Sequence, residues 1–275
     1  MRPLGWSVAR YGAIMGYVLF ALFPLFWLVK ISFTPGPLLY SEGIRFWPSA
    51  TTLDNFRFVL LQSKFPYFFA NSLTVSVATA VAVTLLAGAA GYALSRFAFR
   101  AKPAIAFLLL LTQMFPLVML IPPIYRLMTP LGLTNSLFGL VVVYTAFNVP
   151  FATFLMQSFF DGIPVQLEEA AMIDGCSRLG ALRRVIVPLT LPGMAATLGF
   201  VFTAAWSELL FALMLINTEE KMTFPVGLLT FVSKFAVEWG QMMAATVMAL
   251  IPACVFFALI QRYLVRGLTA GAVKG

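Results

Sequence analysis

The 275-residue chain is 61% hydrophobic and only 10% charged, against about 25% charged in an ordinary soluble domain, and its mean hydropathy is +0.94. This composition excludes a water-soluble enzyme, which needs a polar shell, and a disordered chain, which is polar and poor in aromatics. The net charge is +8 and there is no His, so His-based zinc sites and hydrolases with a His base are excluded; Cys176 and Cys254 form no CxxC and no disulfide framework.

A helix needs about 20 apolar residues to cross the hydrocarbon core. Six runs qualify, over roughly 11–31, 68–94, 103–125, 136–159, 188–216 and 239–262. The expected fold is therefore an all-α polytopic membrane protein with six transmembrane helices, one membrane domain over 1–275. The first run is of full span length and no A-x-A cleavage site follows it, so it reads as a retained helix rather than a signal peptide. Gly12 and Gly16 form a GxxxG pair on it. Pro116, Pro122 and Pro123 are expected to kink the third span. Lys and Arg mark the cytoplasmic side. Placing both termini in the cytoplasm puts Arg2, Arg10, Arg96, Arg100, Lys102, Arg178, Arg183, Arg184, Arg262, Arg266 and Lys274 there, the larger share. These charges flank spans instead of forming one stripe, so no nucleic-acid partner is expected.

Two loops are long enough to carry structure. The outer one, 32–66, is rich in Pro and aromatics, and Thr51 to Leu60 reads as a short amphipathic helix. It either lies on the membrane surface or docks an extracytoplasmic partner. In the inner segment, 161–188, Pro164 opens a helix. Gln166, Glu168 and Glu169 set acid at its positive end, and Gly175 ends or bends it. A second short helix over Arg178 to Val185 carries Arg183 and Arg184 near its C-terminal end, and Pro188 opens the next span. Small residues permit close approach and charges fix register; the segment is either a stabilised interfacial loop or a knob for a cytoplasmic partner.

Glu169-Ala170-Ala171, Asp174-Gly175 and Val185-Ile186-Val187-Pro188 resemble the EAA loop of binding-protein-dependent ABC importer permeases, with Val185 and Val187 in place of Ile and Leu. Asn71-Ser72-Leu73, the stretch Tyr92 to Phe97 and the tail Gly267 to Gly275 resemble the carbohydrate-uptake branch, in particular six-span permeases of the maltose type. The resemblance implies a type I ABC importer (MetI-like) transmembrane fold with a cytoplasmic coupling loop over 161–187 and a cytoplasmic tail over 263–275. It implies ATPase coupling through Glu169, Ala170, Ala171, Asp174, Gly175 and Arg178. Glu169 would pair with a basic group, the alanines would allow close packing and Gly175 would supply the turn. The tail, with Gly267, Thr269, Gly271 and Lys274, would reach between the ATPase subunits. The implied partners are a homologous second permease, two ATPase subunits, an extracytoplasmic sugar-binding protein and membrane lipid, in a bacterial cytoplasmic (inner) membrane.

The chain itself lacks the GxxxxGK[ST] phosphate cradle: Gly175 to Gly180 is followed by Ala181-Leu182, with neither the Lys nor the hydroxyl. ATP and Mg are thus expected on partner ATPase subunits, with no cofactor, metal or catalytic residue on this chain. An acidic residue at mid-bilayer costs roughly 2.5–3.5 kcal/mol, which singles out Glu208, flanked by Trp206 and Ser207. It lines a substrate pathway or forms a buried polar link between helices. Asn71, Gln113 and Asn148 are weaker pathway candidates, each equally able to bond a neighbouring helix. The expected function is the permease subunit of an ATP-driven importer of a sugar or sugar derivative. A permease for a non-sugar solute is the first alternative. An ion-coupled secondary transporter is the more remote one, since it usually needs more spans or repeated halves and more intramembrane charges.

Overall fold

A computed structural model describes the backbone of residues 4–233 and 236–272, and the side chains of 10–233 and 236–261. Among the described residues the regular structure is helical, apart from an isolated β-bridge between Val232 and Val237. In chain order the helices are α1 (Leu4–Ser32), α2 (Gly36–Ser41), α3 (Asp54–Leu61), α4 (Phe65–Arg96), α5 (Lys102–Thr112), α6 (Leu117–Met128), α7 (Leu137–Asp161), α8 (Gln166–Ile173), α9 (Arg178–Ala181), α10 (Val187–Trp206), α11 (Leu210–Leu215), α12 (Phe224–Gly227) and α13 (Trp239–Ala272). Among the described residues five helical stretches are long and apolar enough to cross a membrane, or six if α5 and α6 count as one. That pair departs from the single helix expected over 103–125: its two halves meet at 102°. The break falls at residues 113–116, where Pro116 disfavours helical backbone in the residue before it. Pro122 and Pro123 lie within α6.

The chain packs as two compact units, one of residues 1–66 and 227–251, the other of 67–226 and 252–275. In the first, the apolar part of α1 buries nothing; Tyr17 and Phe20 are exposed, as expected of a helix solvated by lipid or covered by another chain. Its end is tied down by Asn55 of α3. The Asn55 side-chain amide donates to Ser32 O at 2.9 Å and Thr34 O at 3.0 Å, satisfying carbonyls that a helix end leaves without partners. The Phe33 and Phe56 rings pack 4.9 Å apart beside this contact. The helix expected over 51–60 is α3, and Thr52 Oγ1 accepts from Asp54 N at 3.0 Å at its start.

The second unit holds the main core. Val75 of α4, Leu140, Val143 and Tyr144 of α7, Ala205 of α10 and Phe211, Ala212 and Leu215 of α11 form one buried cluster. On α4 the buried positions Phe68, Ser72, Val75, Thr79, Val83 and Ala87 recur at the helical period. The opposite face exposes Leu73, Val77, Val81 and Leu85. An apolar outer face on a packed helix is the pattern of a lipid-bathed protein. Close approach is bought by glycine: a Cβ on Gly91 of α4 would meet Gln157 N of α7 at 2.7 Å, and one on Gly193 of α10 would run into the Phe159 ring. At 32 residues, α4 is about 48 Å long, more than a hydrocarbon core of about 30 Å, so it must project beyond it.

Candidate functional site: the loop between α7 and α10

The segment joining α7 to α10 folds as two short helices around one tight turn. α8 ends because Gly175 adopts φ +91, a conformation open to glycine at no steric cost. Cys176 N then donates to Ala171 O at 3.0 Å and Gly175 N to Met172 O at 3.1 Å, the paired bonds of a Schellman motif. Ser177 caps α9, accepting from Gly180 N at 3.2 Å. A single π turn over Leu182–Ile186 then joins α9 to α10. Pro188 cannot donate to the carbonyl four residues back, and the widened turn absorbs that loss, with Val187 N reaching Leu182 O. Arg178 to Trp206 is therefore one helical run, where the sequence suggested a separate short helix followed by a span beginning at Pro188.

The two adjacent acids of α8 face different ways. Glu169 and Ala170 are exposed, Ala171 is half-buried, and Asp174 and Arg178 are exposed. Around them Ile173 is 85% exposed and Leu179 61%. This makes an outward face of small, apolar and acidic groups, suited to closing against another protein. Glu168 is buried. The Tyr92 hydroxyl donates to its Oε1. Arg96 Nε stands 3.4 Å from Oε2, and Arg178 Nε 3.7 Å from Oε1. Arg96 also donates to Ile163 O at 2.8 Å, and the Arg178 guanidinium lies over the Phe97 ring, 4.9 Å from its centroid. Ser95 Oγ donates to Asp161 Oδ1 at 2.5 Å. Sequence reasoning placed Glu168 only as an acid at the helix start, Arg96 only as a cytoplasmic-side charge and Tyr92 only in a stretch resembling carbohydrate-uptake permeases. The available signal was the pair Glu168-Glu169 itself, since neighbours on a helix point about 100° apart and cannot share one face.

The polar groups proposed for a substrate pathway all have partners within the chain. The helical run breaks after Trp206, and Glu208 caps the restart: its carboxylate accepts from Phe211 N at 2.9 Å and Ala212 N at 3.2 Å. The Tyr144 hydroxyl donates to the same carboxylate at 2.6 Å. A charge that satisfies broken-helix amides removes much of its own burial cost. Ser207 Oγ donates back to Thr203 O at 2.9 Å. Trp206 packs on Phe202, Phe69 and Phe224. Asn148 donates to Tyr144 O at 2.8 Å and Gln113 to Phe147 O at 3.4 Å. Asn71 donates to Glu220 O at 2.8 Å and Met222 O at 2.9 Å. A groove of about 580 Å³ between α4, α5 and α7 is lined by apolar residues plus Thr112 and Thr145, too few polar groups for a sugar, which needs several. In the tail, Gly267, Thr269 and Gly271 lie on the backbone of α13, with side chains outside those described, and Lys274 lies outside the described residues. Among the described residues no group of three His, Cys, Asp or Glu is placed to hold a metal.

The chain is similar to known proteins over nearly its whole length. Residues 84–270 match the family of binding-protein-dependent transport system inner membrane components, and the chain belongs to that family: it is a multi-pass inner-membrane permease component, not an enzyme. It is 36% identical to the sulfoquinovosyl glycerol transport system permease protein SmoH of Agrobacterium fabrum, over 100% of this chain and 94% of that one. It is 34% identical to the trehalose/maltose transport system permease protein MalG of Thermococcus litoralis, over 95% and 96%. A chain from the crystal structure of a bacterial ABC transporter that imports the acidic polysaccharide alginate superposes with a TM-score of 0.81 at 24% identity, covering 94% of this chain and 96% of that one. That likeness establishes a shared fold.

Proposed function

We propose that the chain is one of two homologous permeases in an ATP-driven importer of a sugar or glycoside, and that the 161–187 loop is its coupling loop. In this reading six spans cross the membrane, with α5 and α6 together as the third, and both termini lie in the cytoplasm. Two ATPase subunits hold ATP and Mg, and an extracytoplasmic binding protein delivers the solute. The sugar class is supported by the relatives, whose names specify sulfoquinovosyl glycerol, diacetylchitobiose and trehalose or maltose.

The observation that carries the proposal is the exposed face of α8 and α9. Glu169 and Ala170 stand out beside uncovered Ile173 and Leu179, on a loop whose second half runs unbroken into α10. ATPase closure would pull the loops together, and the continuous helix would carry that motion into the membrane, switching an inward-facing cavity to an outward-facing one. Glu169→Lys is the direct test. Assembled with its ATPase partners in proteoliposomes, the variant is expected to insert normally and to lose most solute uptake per ATP hydrolysed; uptake at the normal rate would remove the docking role. Calorimetry of the cognate binding protein against a panel of sugars and glycosides then identifies the solute.

A further inference from the structure

We infer that Glu168, with Tyr92, Arg96 and Arg178, is a positioning set that latches the 161–187 loop to the end of α4 and so aims Glu169 at its partner. The inference rests on the docking proposed above and deepens it with residues that face away from the docking surface.

The argument is geometric. The side chains of Glu168 and Arg96 are 3% and 5% exposed. Arg96 Nε and Glu168 Oε2 are buried and make no hydrogen bond among the described residues, so they face each other as a buried charge pair. One carboxylate thereby gathers separate stretches of chain: α4 through Tyr92 and Arg96, α8 through itself, and α9 through Arg178. Arg96 adds the turn at Ile163. Tyr92 and Arg96 are four residues apart on α4 and share a face. Arg96 sits in the last turn of α4 and Glu168 in the first turn of α8, where the helix dipoles favour each charge. Apolar side chains could fill the same space at equal or better stability, but they could slide; a buried pair holds one register, and removing either member strands the other. With Glu168 fixed inward, the helical twist leaves Glu169 one orientation, outward. α4 and the loop then move together.

The test uses the full complex with its ATPase subunits in lipid nanodiscs, with Cys176 and Cys254 replaced by Ser. Spin labels at Leu85, on the exposed face of α4, and at Ile173, at the end of α8, report the latch by pulsed electron resonance. A photo-cross-linker at Ile173 reports docking. The parent complex is expected to show one narrow distance, equal in nucleotide-free and ATP–vanadate states, and a cross-link to an ATPase subunit. Glu168→Gln, which keeps shape and loses charge, is expected to broaden the distance and cut the cross-link by at least about ten-fold. Glu168→Gln combined with Arg96→Gln is expected to be no worse than Glu168→Gln alone, since the two act as a unit. An unchanged distance and cross-link in Glu168→Gln, or additive losses in the double variant, would overturn the latch. No cross-link in the parent complex would overturn the docking reading instead.

Discussion

The two ends of α4 are anchored differently. At the Arg96 end a buried carboxylate and two guanidinium groups hold the 161–187 loop. At the Asn71 end single hydrogen bonds, most of them between neutral groups, hold the segment that leads from α11 into α12, and Lys221 Nζ adds one to Asn135 O at 2.9 Å. Asn71 donates to two of its carbonyls, and Ser72 Oγ accepts from Phe224 N at 2.7 Å. Asn135, at φ 52, accepts from Asn217 N, Thr218 N and Thr218 Oγ1 at 3.0–3.2 Å. Several neutral bonds of about 0.5–1.5 kcal/mol each give graded strength. A buried ion pair is close to all-or-none, because its removal leaves an uncompensated charge. The contrast suits the proposed coupling role of the loop at one end and a segment that needs only to be shaped at the other.

Three substitutions break or sharpen that contrast, each read by hydrogen exchange. The largest effect is expected from Arg96→Gln: it leaves the buried Glu168 with only the Tyr92 hydroxyl and the half-exposed Arg178 and should cost about 3 kcal/mol locally, with protection lost across 166–178 and kept across 215–224. Asn135→Ala should come next, at about 2 kcal/mol, from lost side-chain bonds plus the penalty of a left-handed residue without a polar side chain; its loss should be confined to 215–224. Ser72→Ala should be smallest, about 1 kcal/mol, seen at Phe224 and little beyond. Protection lost equally in both segments after Arg96→Gln would mean that the two anchors are one cooperative unit.

The apolar runs made the long helices legible, because length and hydropathy suffice for that. Gly175 was legible as the end of α8 because no other residue enters its turn freely. The break at Ser207 to Leu209 was not, since neither Pro nor Gly marks it. There Glu208 competes for backbone amides and wins by capping α11. The choice among Pro116, Pro122 and Pro123 was also hidden: a helix that restarts at Leu117 confines the sharp corner to Pro116, a matter of tertiary packing. Glu168 was visible as a letter and hidden as a function. Sequence gives the order of two acids, and only the fold says which is inside.

The π turn at Leu182–Ile186 has a consequence for azimuth. A wide turn accommodates an extra residue without changing the path of the axis, yet each residue added or removed in an α-helix rotates everything beyond it by about 100°. The turn therefore acts as the phase setting between α9 and α10. It fixes which compass bearing Leu179 and Arg178 take for a given orientation of α10, so a related chain lacking that bulge would turn the same face of its loop toward another side.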